Sequence, residues 1–562
     1  MESVKGRRVV VIGLDGATFD VITPLLRDGY LPNVARLIER GAHGPLISTI
    51  PPVTGAAWSS FMTGKNPGRH GVYGLMRLQS NSYEVTPISS ADRKSRDLWE
   101  IAGEQGKRVI VLNVPITYPV RAVNGVLISG FMTPSRAEDY AHPKTILSQI
   151  EKQVGEYRIS FEDNRRKAER SLWSSSRYED AFLEDTVKTT RVHAETLFHL
   201  MDREEWDFLM IVFQGTDGLQ HIFWRDMDPN HPKHDPERPS KYRNVVREFY
   251  QLMDEIIGQV VTKLQRESTI FLVSDHGFTP FSKFVSLNVF LMQHGYLKLK
   301  REPKILAKRL MFRLGITPLS LFRLLNRLHL GKFRQSLRKE DVRRRIRGWF
   351  ISLRDVDWSK SVAYSMGGWG QIYLNLGGRE PQGIVGEDSK SLTDKIIRGL
   401  LALKDPSSGR QVFASGRIYR KEDIYDGPLV SLAPEIVAIP DPPYKTFPDY
   451  EFGSNRLITE ALGWSGTHAM NGIFVASGPR VIKTSVEPKI IDVAPTILYL
   501  LGLPVPGDMD GRVLTEIISQ QMLTKEPVRI EHVTHAPVQE EYAMSSTDEE
   551  DLRKTLKALG YL

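Results

Sequence analysis

The sequence predicts an α/β fold built on a mostly parallel sheet, and three observations carry that expectation. Short apolar runs rich in Val and Ile recur along the chain, as suits strands covered on both faces. Stretches with helical spacing lie between them. Acidic and imidazole side chains fall just after the runs, at the strand ends where open parallel sheets bind ligands.

Arg8 to Leu14 is the first run, and it stops at Asp15-Gly16. Helical patterns follow over Phe19 to Arg27 and Pro32 to Arg40, the second closed by Gly41. Val109 to Val114, Trp206 to Phe213, Ile270 to Ser274 and Ile473 to Ala476 read as further buried strands. Lys241 to Gln265 carries apolar residues at helical spacing, and Val362 to Ser365 and Gln371 to Leu376 alternate like short strands. Two segments break the rhythm. Thr133 to Arg191 is rich in charge and serine, and Leu291 to Phe350 is strongly basic. In the second, Thr317-Pro318 reads as a helix start, followed by an apolar face of Leu321, Leu324, Leu325 and Leu328. These readings divide the chain into core segments 1–132, 196–290 and 356–514, the last with a small sheet. Inserts occupy 133–195 and 291–355, and 515–562 forms a C-terminal helix and tail.

A chain of 562 residues, 41% hydrophobic and 25% charged, has room for one large α/β domain with insertions. It contains no cysteine. Disulfides, thiolate metal sites and a cysteine nucleophile are excluded, so any metal is held by His, Asp, Glu or a hydroxyl. The N-terminal residues lack the apolar stretch of a signal peptide, and no run approaches a membrane span, so the expected location is the cytoplasm. Between Lys298 and Arg347 stand 17 Lys or Arg against three acidic residues, a net +14. The rest of the chain therefore carries −6 of the total +8, and the basic balance is no signal for nucleic acid.

Asp15 follows the first strand, Asp217 and His221 follow the run ending at Phe213, and Asp275 and His276 follow Ile270 to Ser274. His468 stands in Gly466-Thr467-His468, before the Ile473 run. Three aspartates and three histidines at equivalent edges suit zinc or manganese, and six ligands suggest two ions. Thr54 begins a small-residue helical run, Ala56-Ala57-Trp58-Ser59-Ser60. A hydroxyl at a helix N-terminus is placed to become a nucleophile toward phosphate. Ser48, Thr49, Ser59 and Ser60 compete for that role.

This set resembles the type I phosphodiesterase/nucleotide pyrophosphatase branch of the alkaline phosphatase superfamily. The matching pieces are Val11-Ile12-Gly13-Leu14-Asp15-Gly16, Leu31-Pro32-Asn33, Thr54 with Thr63-Gly64, and Pro67-Gly68-Arg69-His70-Gly71. Thr216-Asp217 with His221, Ser274-Asp275-His276-Gly277, Gly466-Thr467-His468, Asp492-Val493-Ala494-Pro495-Thr496 and Leu501-Gly502 follow in order. The resemblance implies a three-layer α/β/α core with inserted cap segments. It implies one metal on Asp217, His221 and His468, a second on Asp15, Asp275 and His276, and Thr54 bridging toward the second. The implied activity is hydrolysis of a small phosphorylated substrate through a phosphothreonine. One departure stands out: Val72-Tyr73-Gly74-Leu75-Met76 lacks the phosphate-binding asparagine of the nucleotide pyrophosphatases. The alternatives are a phosphotransferase or phosphomutase of the same superfamily, and a non-catalytic metal-binding module; the formylglycine route of sulfatases is closed.

Each residue also has a plainer role. Asp15 and Thr54 could cap helices, Asp217 and His221 could be a helix-surface pair, and His43 and His70 are expected to be structural. Asn113 and Tyr118 could touch substrate or shape a turn. The basic segment 298–347 is expected to cap the site with its leucines packed on the core, or else to touch an anionic membrane weakly. The Arg343-Arg344-Arg345 run is expected to be a solvated face.

Overall fold

The computed structural model describes residues 7–159, 176–264, 268–327, 348–386, 389–448, 452–532 and 542–558. Its centre is a nine-stranded sheet of β1 (Arg8–Leu14), β2 (Ala42–Ile47), β3 (Val109–Val114), β4 (Gly125–Ser129), β5 (Ala141–His142), β6 (Phe208–Phe213), β7 (Ser268–Val273), β8 (Asn471–Ser477) and β9 (Thr484–Ser485). The spatial order is β9-β2-β8-β7-β1-β6-β3-β4-β5. The central five, β7-β1-β6-β3-β4, are parallel, while β8 and β5 run against their neighbours.

Alternation along β1 explains the layers. Val10, Ile12 and Leu14 enter the core on one face, beneath the helices Phe19–Arg27, Pro32–Arg40 and Val245–Lys263. Val9 and Val11 enter the other, beneath Thr54–Thr63 and Val493–Leu500. Both faces are covered, so the strands are apolar throughout, and three layers α/β/α result.

The sequence boundaries shift modestly. The strand expected from Trp206 begins at Phe208, and the helix expected from Lys241 opens with a 3-10 turn, Ser240–Asn244. The helix Ser176–Arg203 runs across position 195. After Leu514 the chain keeps contact with the body: Leu552 and Leu556 of the helix Ser546–Ala558 are buried.

A separate apolar cluster fills the space under a four-stranded sheet of Ala363–Ser365, Gln371–Leu374, Ile418–Arg420 and Ile436–Ala438. The helix Pro303–Arg313 joins this cluster through Ile305 and Phe312. The next helix, Pro318–Arg327, departs from expectation: Leu321 is only partly buried and Leu324 is half exposed. Among the described residues its attachment includes Leu319 N–H to the Gly453 carbonyl (3.1 Å) and Arg323 to the Glu460 carbonyl (3.2 Å). The side chain of Leu325, Leu328 and the Arg343-Arg344-Arg345 run lie outside the described residues. Among the described residues, no helix is long and apolar enough to cross a membrane.

Candidate active site

The carboxyl ends of β1, β6 and β7 converge because the three strands are adjacent and parallel. Asp15 leaves β1 into a turn at Gly16, whose φ of +68° suits glycine and whose N–H donates to Asp275 Oδ1 (3.2 Å). Asp217 and His221 stand one turn apart on the helix Gly215–Met227, which starts directly after β6. Asp275 and His276 follow β7. His468 comes from the short strand Gly466–Ala469, which pairs antiparallel with Gly277–Pro280 and so brings a distant segment beside His276. The His276 and His468 rings stack at 3.6 Å between centroids.

All six side chains are buried. His221 Nδ1 donates to the Gly466 carbonyl (2.8 Å), His276 Nδ1 to the Gly277 carbonyl (3.0 Å) and His468 Nδ1 to the Pro52 carbonyl (3.0 Å). With Nδ1 donating, each imidazole turns an unprotonated Nε2 inward, the arrangement that backbone carbonyls impose on metal-ligating histidines. His221 Nε2 and His468 Nε2 lie 3.2 Å apart, and Asp217 Oδ1 lies 3.3 Å and 3.2 Å from them. His276 Nε2 is 3.3 Å from Asp275 Oδ2 and 3.6 Å from Asp15 Oδ1.

Burial, with repulsion from Asp275 and Asp217, pushes the Asp15 carboxyl well above the usual carboxylate range. Burial likewise raises Asp275. It holds His221 and His468 below the usual imidazole range, His468 also through repulsion by His276. Burial opposes ionisation of Asp217, but the two histidines outweigh it and hold the carboxyl low. Imidazole lone pairs and a carboxylate oxygen at these separations need a cation among them, and burial disfavours a proton on the imidazoles. Asp15 Oδ1 and Asp275 Oδ2 are buried without a hydrogen-bond donor. The donor set therefore fits divalent metal ions. Two groups of three candidate ligands among the described residues have mutually close donor atoms: Asp217 with His221 and His468, and Asp15 with Asp217 and His276. Asp275 adjoins the second group through His276.

Thr54 is the first residue of its helix, behind Val53, which offers no side-chain cap. Its hydroxyl lies 3.4 Å from His276 Nε2. The competing hydroxyls are used otherwise: Ser48 donates to the Asp275 carbonyl (2.6 Å), Thr49 to the Pro51 carbonyl (2.9 Å), and Ser60 bonds His70 Nε2 (2.9 Å). Ser59 lies wholly buried in the helix interior. His70 thus pins the helix Thr54–Thr63, and His43 lies on β2 opposite Val475. Asn113 sits at positive φ in a β3 irregularity and accepts from the Tyr157 hydroxyl, so it shapes the strand end. Tyr118 meets Tyr542 edge to face, 6.0 Å between centroids.

Sequence reading missed the opposite wall. A cleft with a cavity volume of about 80 Å³ opens beside His468, lined by Pro51, Pro52, Trp369, Lys445 and Thr467. Trp369 packs against His468 and Trp464 stacks on His221, at 4.3 Å and 3.9 Å between centroids. Lys445 Nζ lies 4.7 Å from each of these two indole rings. The three positions are far apart in sequence and lie outside any long apolar run, so the only signal was an aromatic residue beside glycines at Gly367-Gly368-Trp369.

The model of the family described as type I phosphodiesterase / nucleotide pyrophosphatase matches residues 9–455. The chain belongs to this family. It is accordingly a phosphoric ester hydrolase. His468 lies just beyond the matched stretch. Among solved structures, phosphonoacetate hydrolase from Sinorhizobium meliloti 1021, in complex with phosphonoformate, shares 14% identity at a TM-score of 0.51, covering 88% of this chain and 95% of that one. The likeness is one of fold. Human ectonucleotide pyrophosphatase/phosphodiesterase 5 shares 12% identity at a TM-score of 0.48, covering 91% of this chain and 100% of the other. An inactive form of the murine protein in complex with AMP gives 12% and 0.48, with 92% and 100% covered. No curated protein sequence matches the chain.

Proposed function

We propose that the chain hydrolyses phosphodiester, pyrophosphate or phosphomonoester bonds of small substrates through a covalent phosphothreonine on Thr54. The observation that carries the reading is the Thr54 hydroxyl 3.4 Å from His276 Nε2, in a buried set of three imidazoles and three carboxylates. Asp217, His221 and His468 would hold one divalent ion, and Asp15, Asp275 and His276 a second, zinc being favoured over manganese by the imidazole content. Such ions, when bound, supply Lewis acidity that lowers the pKa of oxygen nucleophiles and offsets charge on phosphoryl oxygens.

The protein's own part is positioning. Helix Thr54–Thr63 aims the Thr54 oxygen and its uncapped N-terminal N–H groups at the same point, where an anionic phosphoryl group is favoured. Thr54 Oγ1 forms a bond to phosphorus as the bond to the leaving oxygen breaks; the hydroxyl proton passes to solvent and the leaving oxygen takes one up. Water then attacks the phosphothreonine, restoring the hydroxyl and releasing phosphate from a monoester substrate or the substituted phosphate from a diester or pyrophosphate. Two in-line displacements give overall retention at phosphorus. Lys445, framed by Trp369 and Trp464, supplies a cation on the facing wall for a substrate oxygen, a role that Val72 to Met76 cannot fill with an asparagine. The test is acid quenching of the zinc-loaded protein with an aryl phosphate, followed by peptide mass spectrometry. A phosphate on Thr54 in the parent, absent from Thr54→Ser at the same threonine position by definition but present on the new serine, supports the route. Full activity in Thr54→Ala would sink it.

A further inference from the structure

The helix Pro303–Arg313 has two apolar faces. Ile305 and Phe312 are buried against the four-stranded sheet, and Lys308 ties the same side to Asp355 at 3.0 Å. On the other side stand Leu306 and Leu310, with Leu314 four residues on, at relative exposures of 46%, 59% and 69%. Ile316 and Leu324 extend the exposed set. An ordinary surface helix is polar on its outer face. Here five of the twelve exposed large apolar side chains among the described residues fall between positions 306 and 324, which marks an interaction surface.

Charge says what kind of surface. Between Arg301 and Leu324 stand six Lys or Arg and one acidic residue, Glu302. Arg301, Lys304, Arg309 and Arg313 are exposed, and none of the four forms an ion pair among the described residues. A second copy of this face would bring like charge to like charge. Nucleic acid would satisfy the cations and leave the leucines in water. An interface rich in both anions and apolar chains satisfies both.

We propose that the helix Pro303–Arg313 and the following turn through Leu324 dock on an anionic lipid bilayer. Leu306, Leu310 and Leu314 enter the boundary between headgroups and acyl chains, and the flanking cations meet the headgroup phosphates. The inference is independent of the hydrolytic mechanism.

The test is co-sedimentation of the full-length protein with vesicles of phosphatidylcholine alone and of phosphatidylcholine mixed with phosphatidylglycerol. The expected result is binding only to the mixed vesicles, weakened about tenfold or more between low and high salt. The variant Leu306→Ser/Leu310→Ser/Leu314→Ser, altered only at exposed positions, should melt as the parent does, keep its activity on a soluble aryl phosphate, and bind at least about tenfold more weakly. Absence of binding to mixed vesicles at low salt overturns the proposal. So does unchanged binding by the triple variant, which would reduce the surface to a general polyanion binder, best seen if duplex DNA competes equally. A parent that dimerises, with a monomeric triple variant and no lipid binding, overturns it in favour of self-association.

Discussion

Two walls, the sheet edge that carries the candidate metal ligands and the cleft lining beside His468, differ in how they are built. One is the carboxyl edge of the parallel sheet, where Asp15, Asp217, Asp275 and His276 follow buried strands of six or seven residues. The other is assembled from short pieces. Lys445 stands on the three-residue strand Tyr444–Thr446, which pairs with Lys283–Val285, while Trp369 and Trp464 come from loops. The first wall is fixed by the core on both of its faces and suits chemistry that tolerates little displacement. The second can change without disturbing the central sheet.

If the first wall performs the reaction, Thr54→Ala has the largest effect. The rate falls by at least about 10³-fold with metal content unchanged. Steady-state kinetics together with elemental analysis checks this, and a variant that keeps its rate would show that Thr54 is chiefly a structural cap.

His468→Ala comes next. His468 reaches the site from a two-stranded sheet outside the central one, so its removal leaves the central sheet intact and breaks one candidate ligand set. The expected outcome is loss of roughly one metal ion per chain, an activity loss of about 10²-fold or more, and an unchanged far-ultraviolet circular dichroism spectrum. Retention of the full metal complement would remove His468 from the ligands.

The same contrast explains what could be read from sequence. The first wall was legible because a buried parallel strand leaves a continuous Val/Ile run, and the residue after that run is at the ligand-binding edge. Asp15, Asp275 and His276 needed no more than this. Lys445 was not legible: a three-residue strand has no period, and its indole partners are 76 and 19 positions away. The basic segment is legible only in part for another reason: the apolar face expected from sequence is Leu321, Leu324, Leu325 and Leu328, and it does not single out Leu306, Leu310 and Leu314. Spacing of four residues at Leu306, Leu310 and Leu314 shows a helical stripe, but the same spacing serves a stripe facing the core or one facing solvent. Only the burial of Ile305 and Phe312 decides which face turned inward.

The second wall is tested by Lys445→Met, with smaller effects of opposite sign on activity and stability. Burial pushes the Lys445 ammonium down to about 7, against an attraction to Asp217. The unfolded chain holds that proton until about pH 10.4, so between these values it binds more protons than the native state, and this lysine makes stability rise with pH. The penalty of burying the charge is fully present below about pH 7 and is gone near pH 10.4. Lys445→Met should therefore melt higher than the parent, by roughly 1–3 °C at pH 6.5, with the difference shrinking as pH rises. It should at the same time bind inorganic phosphate more weakly and lose about tenfold in kcat/KM, with metal content unchanged. Calorimetry across pH 6 to 10, run on parent and variant with the same metal loading, separates the accounts. A lysine that merely fills space would lose stability on substitution at every pH and leave phosphate affinity alone. A lysine kept for its charge gives up stability for binding, which is the trade expected of a site residue on a wall that the core does not dictate.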